Sequence, residues 1–155
     1  MEIRKVRNHK VELCRKILEA LPEWFGLERA RETYIQAARD QMMLACMVGG
    51  DDVGMVTLVP HSPWNLEISV MGVLPSHHRM GVGSALISAA DAVALDAEIK
   101  LLTVKTLSAS SPDHFYKRTR DFYCAIGFEL FEEFPDLWDK HNPCALYVRP
   151  VGEKK

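Results

Sequence analysis

Met71-Gly-Val-Leu-Pro-Ser-His-His-Arg-Met-Gly-Val-Gly-Ser-Ala-Leu86 is the stretch on which the fold turns. It reads as the end of a strand, a corner broken by Pro75, a turn holding Gly81 and Gly83, and the start of a helix. The first N–H groups of a helix have no partner within it, and the helix dipole adds partial positive charge there. Such a junction aims several backbone donors at one point, a geometry suited to a diphosphate. Two glycines in G-x-G spacing are by default an ordinary turn, so the surrounding sequence has to decide.

Upstream, Leu66–Val73 reads as a strand entered through the turn His61-Ser-Pro-Trp-Asn65. Before it, Met42–Val48 and Val53–Val59 are apolar runs separated by Gly49-Gly-Asp-Asp52, a hairpin signal whose connection runs to two residues or more. Glu2–Val6 alternates as a short first strand. Val11–Leu21 spaces Val11, Leu13, Cys14, Ile17, Leu18 and Leu21 as a helix does, and Leu27–Arg39 resumes helical spacing with Ala30, Tyr34, Ala37 and Ala38 near one face. Downstream, Gly83–Ala97 is a small-residue helix and Ile99–Leu107 a strand. Ser111-Pro-Asp113 offers an N-cap, a first-turn proline and an acid for a helix to Ile126, closed by Gly127. Phe128–Phe134 and Ala145–Arg149 read as closing strands, with Pro135–Pro143 a proline-bounded loop between them. The order predicts an α/β (α+β) fold: a mixed, mostly antiparallel central sheet of about six to seven strands with helices on both faces.

A chain of 155 residues with 48% hydrophobic and 26% charged content is most simply one soluble domain, 1–155, able to bury a core. The net charge of −2 supplies no basic face for nucleic acid. Cysteines at 14, 46, 124 and 144 include no C-x-x-C pair, so no metal site is expected and free thiols in a reducing cytoplasm are. The N-terminus has no apolar signal region, and no stretch approaches the roughly 20 apolar residues of a membrane span. The expectation is a cytoplasmic protein with no membrane partner.

For the diphosphate, a P-loop fails because Gly83 is followed by Ser84-Ala85 rather than Lys-Ser or Lys-Thr. The dinucleotide fingerprint fails because Leu86 stands where its third small residue belongs. Pro75 favours another ligand. It stops the strand from pairing onward, leaving backbone groups of Met71 and Val73 for an extended arm, while amides of Arg79, Met80, Gly81, Val82, Gly83 and Ser84 close around the diphosphate. Coenzyme A has such an arm and such a head.

The segment resembles the acetyl-CoA signature of the GNAT superfamily of N-acetyltransferases, Q/R-x-x-G-x-G/A. The match is His78-Arg-Met-Gly81-Val-Gly83, preceded by Val73-Leu-Pro75. His78 stands where the family prefers Gln or Arg, and Arg79 next to it offers the cation. Phe122-Tyr-Cys-Ala-Ile-Gly-Phe128 resembles the family's F-Y-x-x-x-G-F block. The resemblance spans about residues 52–150 and is carried before that by element order alone. It implies a GNAT-like acyl-CoA N-acyltransferase fold and an N-acetyltransferase using acetyl-CoA as cosubstrate, without metal.

Transfer to an amine needs a base, a polarised carbonyl and a proton for the leaving thiolate. Glu67 is the candidate base: strand alternation sets residues 67, 69, 71 and 73 on one face, roughly 20 Å separating Glu67 from Val73 at about 3.3 Å per residue. In several family members a glutamate here is the base, directly or through water. A plain salt-bridged carboxylate is the competing reading. The resemblance gives Tyr123 the thiolate-protonating role, against a core tyrosine, and gives the Val73 amide the carbonyl. His61, beside Trp64 and near Glu67, is a lesser candidate for binding substrate or relaying a proton. Two aromatic and acidic segments suit a small cationic amine or peptide acceptor: Glu23, Trp24 and Phe25, and Trp138 with Asp136 and Asp139. Ordinary loops anchored by tryptophans fit equally. Direct attack in a ternary complex is expected, since no cysteine is placed to carry an acetyl group. A CoA-binding regulatory module without efficient catalysis is the alternative, and a homodimer through the final strands or the N-terminal helices is compatible with either.

Overall fold

The computed structural model describes residues 1–152. The elements run β1 (Glu2–Val6), α1 (Lys10–Glu19), α2 (Glu28–Ala37), β2 (Met42–Val48), β3 (Asp51–Ser62), β4 (Asn65–Val73), α3 (Val82–Asp96), β5 (Leu101–Leu107), α4 (His114–Ala125), β6 (Glu129–Asp139) and β7 (Asn142–Pro150). This is the element order the sequence indicates. The strands form a seven-stranded sheet in the order β1-β2-β3-β4-β5-β7-β6. The chain gathers into two compact units, Met1–Val59 with Ile68–Val93, and Pro60–Glu67 with the residues from Ala94 on.

In the first unit β1, β2 and β3 are antiparallel neighbours, from Glu2↔Met47 to Val6↔Met43 and on through Leu44↔Val56. The β2–β3 turn is only two residues, Gly49 at φ 60° and Gly50 at φ 88°. Positive φ at both positions gives the primed turn whose twist matches that of the strands, and glycine enters it without strain. The apolar stripe of α1, with Leu13, Cys14, Ile17 and Leu18, meets Met43, Ala45, Met55 and Val70 of the sheet in one buried cluster. From α2 this cluster takes Ile35, with Tyr34 packed beside it, and Ala38 joins from just past the helix end. Ala30 is exposed instead of lying on that face.

Successive side chains of a strand point to opposite faces, so Gly54 looks away from its neighbour Met55 and the α1 cluster. It looks at α3: a Cβ there would lie 2.9 Å from Val82 Cγ1 and 3.3 Å from Leu86 Cδ1. Gly72 serves the α1 face, where a Cβ would meet Ile17 Cγ2 at 2.7 Å and Leu21 Cδ1 at 3.0 Å. Helices therefore cover both faces of this unit's strands, each seated on a strand position with no side chain.

In the second unit β7 lies between β5 and β6, antiparallel to both. The segment 135–143 is a hairpin, not the expected loop. Asp139 pairs with Asn142 across its tip, and the Asp139 carboxylate accepts from the backbone N–H of His141 at 2.8 Å and of Asn142 at 2.9 Å. Proline at 135 is tolerated because β6 is the outer strand of the sheet. The cap of α4 is Asp113 rather than Ser111, its Oδ1 accepting from Phe115 N at 2.9 Å and Tyr116 N at 3.2 Å. Gly127, at φ 100°, ends that helix as expected. Among the described residues no helix is long and apolar enough to cross a membrane.

Gly54→Ala and Gly72→Ala should each lower stability by about 1–3 kcal/mol, the usual cost of overpacking. Urea midpoints check this. An unchanged midpoint for both would mean the helices are not held at these contacts.

Candidate active site

The corner after β4 lies within the first unit. Leu74 N–H donates to Val53 O at 2.8 Å, the last tie to β3. Pro75 opens a single 3-10 turn, Pro75–His77, and the chain reverses through Arg79 at φ 61° and Gly81 at φ 83°. A Cβ on Gly81 would find only Met1 Cε, at 3.9 Å, so this glycine is required by its φ and not by crowding. Ala85 N–H donates to Gly81 O at 3.0 Å, opening the α3 ladder. The N–H groups of Val82, Gly83 and Ser84 come before that bond, as orphan donors of a helix start do. Arg79, Met80, Gly81 and Ser84 are exposed. A short run of donors, a neighbouring cation and an open surface fit a diphosphate.

His78 has a role that the motif did not disclose. Its Nε2 donates to Val73 O at 2.7 Å, pinning the turn to the strand end. Trp24 meets the imidazole edge-on, with ring centroids 5.8 Å apart. The expectation that both backbone groups of Val73 stand ready for a ligand is thus corrected for its carbonyl, which His78 occupies.

Along β4, Leu66, Ile68, Val70 and Gly72 are buried while Glu67, Ser69, Met71 and Val73 are half-buried, the alternation the sequence indicates. In the second unit Glu67 is gripped from two sides. Its Oε1 lies 2.8 Å from His61 Nε2 on β3, and its Oε2 accepts from Lys105 Nζ on β5 at 2.7 Å. Burial pushes this carboxyl up, but the hydrogen bonds and charges of Lys105 and His61 outweigh it and hold the carboxyl below its ordinary value. Glu67 is an ionised carboxylate at neutral pH. Lys105 escaped the sequence reading because it sits 38 positions away and only the sheet brings it close. His61 belongs to β3 rather than to a turn.

Tyr123 is 4% exposed on α4, its ring edge-on to Phe122 and Phe128 with centroids 5.2 Å from each. Burial pushes its phenol well above the ordinary range, so it keeps its proton. Arg120, one turn back, donates from NH1 to Leu107 O at 2.8 Å and ties α4 to β5.

The acceptor candidates divide between the units. Glu23 is exposed, while Trp24 and Phe25 are partly buried against the α1 cluster, Phe25 edge-on to Tyr34 at 6.2 Å. Trp138, 40% exposed, and the exposed Asp136 lie on β6. Asp139 is spent on its hairpin tip, where the Asn142 side chain first, and then backbone donors, hold its carboxyl below the usual range. The four cysteines are unbonded, with Cys14, Cys46 and Cys144 buried and Cys124 exposed.

The family model for the acetyltransferase (GNAT) domain matches residues 30–130. Among curated proteins, none matches this sequence. Solved structures resemble it closely in shape. A GNAT-family protein from Desulfovibrio desulfuricans superposes with a TM-score of 0.80 at 17% identity, covering 97% of this chain and 99% of the other. The aminoglycoside 6'-N-acetyltransferase from Enterococcus faecium gives 0.74 at 13% identity over 100% and 99%. A GNAT-family acetyltransferase from Elizabethkingia anophelis, solved with acetyl-CoA bound, gives 0.70 at 13% identity over 97% of each chain. The fold matches these structures.

Lys105→Met removes one of the two groups that hold the Glu67 carboxyl down, so its titration should move to higher pH in carbon-13 NMR. The pair's stabilisation is present above the ordinary glutamate range and is lost as pH falls through the depressed folded value. A Glu67 titration that stays in place would show that Lys105 does not set it.

Proposed function

This chain belongs to the GNAT acetyltransferase family, and on that premise we propose that it moves an acetyl group from acetyl-CoA to a primary amine of a small molecule or peptide, by direct attack. It is an acyltransferase; the donor, the acceptor class and the residue roles are our reading. We treat the chain as one N-acetyltransferase domain working in the cytoplasm. The observation that carries the proposal is the corner at the start of α3, where left-handed turns at Arg79 and Gly81 precede three N–H groups that lie ahead of the helical ladder.

Backbone donors of Arg79, Met80, Gly81, Val82, Gly83 and Ser84 would hold the diphosphate, with Arg79 adding charge. Backbone groups of Met71 and the N–H of Val73 would hold the extended arm, and that N–H would polarise the carbonyl. His78 serves by keeping Val73 in place through its carbonyl. When bound, acetyl-CoA supplies an acetyl group activated as a thioester.

Glu67 is the negative centre on which deprotonation of the acceptor ammonium depends, directly or through a neighbour. Tyr123 keeps its proton at working pH and so has a hydrogen to present to the departing sulfur. Its raised phenol pKa makes it a hydrogen-bond donor first and a full proton donor second. Glu23, Trp24, Phe25 and Trp138 are our acceptor-side residues, aromatic surface and carboxylate being what a cationic amine needs.

Coenzyme A should raise the melting temperature of the wild type, and Gly81→Val should weaken that shift, because valine resists φ near 83°. Glu67→Gln and Tyr123→Phe should keep the shift yet release free CoA from an amine panel about 10²–10⁴-fold more slowly. No shift in the wild type would overturn the cofactor assignment. Full turnover in both variants would overturn the catalytic roles.

A further inference from the structure

We infer that His61, oriented by Glu67, is the group that takes the proton from the acceptor amine. This rests on the acetyltransferase reading above and deepens it. An ionised carboxylate only accepts hydrogen bonds. The 2.8 Å contact with Glu67 Oε1 therefore puts the hydrogen of neutral His61 on Nε2. That choice of tautomer leaves the lone pair on Nδ1.

The carboxylate is poorly placed to act alone. Both of its oxygens are engaged, one by His61 and one by Lys105 at 2.7 Å, and its side chain is only 14% exposed. The His61 side chain is 47% exposed, so the basic lone pair belongs to the more accessible member of the pair. Lys105 from β5 is bonded to the same carboxylate. Cys144 on β7 lies near Glu67 and Lys105, and burial pushes its thiol up, so it stays neutral.

The step balances on these atoms. An N–H bond of the ammonium breaks and leaves its electron pair on nitrogen. The proton bonds to Nδ1 of His61, and the imidazolium is stabilised by the Glu67 carboxylate at Nε2 until it returns the proton to water. The freed pair on nitrogen attacks the acetyl carbon, and the C–S bond breaks with its pair left on sulfur. The thiolate takes up the Tyr123 hydroxyl proton, and the nitrogen's second proton leaves through water and restores that hydroxyl. In this arrangement Glu67 positions and compensates while His61 is the base. It is the design of an imidazole held in one tautomer by a half-buried carboxylate, reached here from three neighbouring strands.

The test uses the whole chain and an amine that the wild type acetylates. His61→Ala and His61→Gln should each lower kcat/KM by about 10²-fold or more while keeping the thermal shift with coenzyme A. Added imidazole should restore turnover to His61→Ala in proportion to its unprotonated concentration, an effect that repair of a merely structural defect would not show. Turnover within twofold of wild type in both His61 variants would overturn the inference and leave the acetyltransferase reading standing. So would a loss that imidazole fails to restore. A wild type that binds coenzyme A but acetylates no amine would overturn the reading itself, and this inference with it.

Discussion

Gly54 is the constraint on which the rest of the first unit depends. The first turn of α3 presses Val82 and Leu86 onto β3 so closely that even a methyl group at residue 54 would stand 2.9 Å from Val82. Close seating there fixes where α3 begins, and the start of α3 is where unpaired donors gather. The strand end is fixed just as firmly. Leu74 is tied to Val53, His78 to Val73, and Pro75 can extend no ladder. Between two such anchors the chain has few ways to turn, and left-handed φ at Arg79 and Gly81 is how it does so. A site made of backbone donors needs this rigidity, since it has few side chains with which to adjust.

The second unit solves a different problem, that of keeping a charged carboxylate partly out of water. Glu67 on β4 draws one partner from β3 and another from β5, so the charge is compensated where it is made. A lone carboxylate at that depth would rise in pKa. Two donors reverse the sign. The same compensation that keeps Glu67 ionised makes it a weaker base, and this tension is the reason we infer a base at His61.

Much of the fold was legible because its punctuation is local. Pro75, Gly81 and Gly83 mark the corner within nine residues, and the Gly49–Gly50 turn and Gly127 announce themselves in the same way. The placing of Glu67 on a strand and Tyr123 on a helix was legible too. Their surroundings were not. Lys105 reaches Glu67 only through sheet pairing, and His78 differs from the family's preferred residues without any sequence clue to its bond with Val73. Pro135 and Pro143 suggested a loop, yet Pro135 lies on the outer strand β6, which needs no N–H on its open side, and Pro143 sits at the very start of β7, so a hairpin runs through them. Ser111 and Asp113 are both good caps, and only the backbone bonds of Phe115 and Tyr116 choose Asp113. On the α2 side the core buries Ala38 as read from the spacing, but also Ile35, which the alanine pattern did not single out, and it leaves Ala30 exposed.

The central claim is that main-chain donors around α3's first turn receive a diphosphate. Nitrogen-15 amide spectra recorded during titration with coenzyme A, and in parallel with pantetheine, which has the same arm but no diphosphate, test it most directly. Saturable shifts of the Gly81, Val82, Gly83 and Ser84 amides with coenzyme A, absent with pantetheine, are the predicted result. Those four amides standing still while coenzyme A binds elsewhere would contradict it.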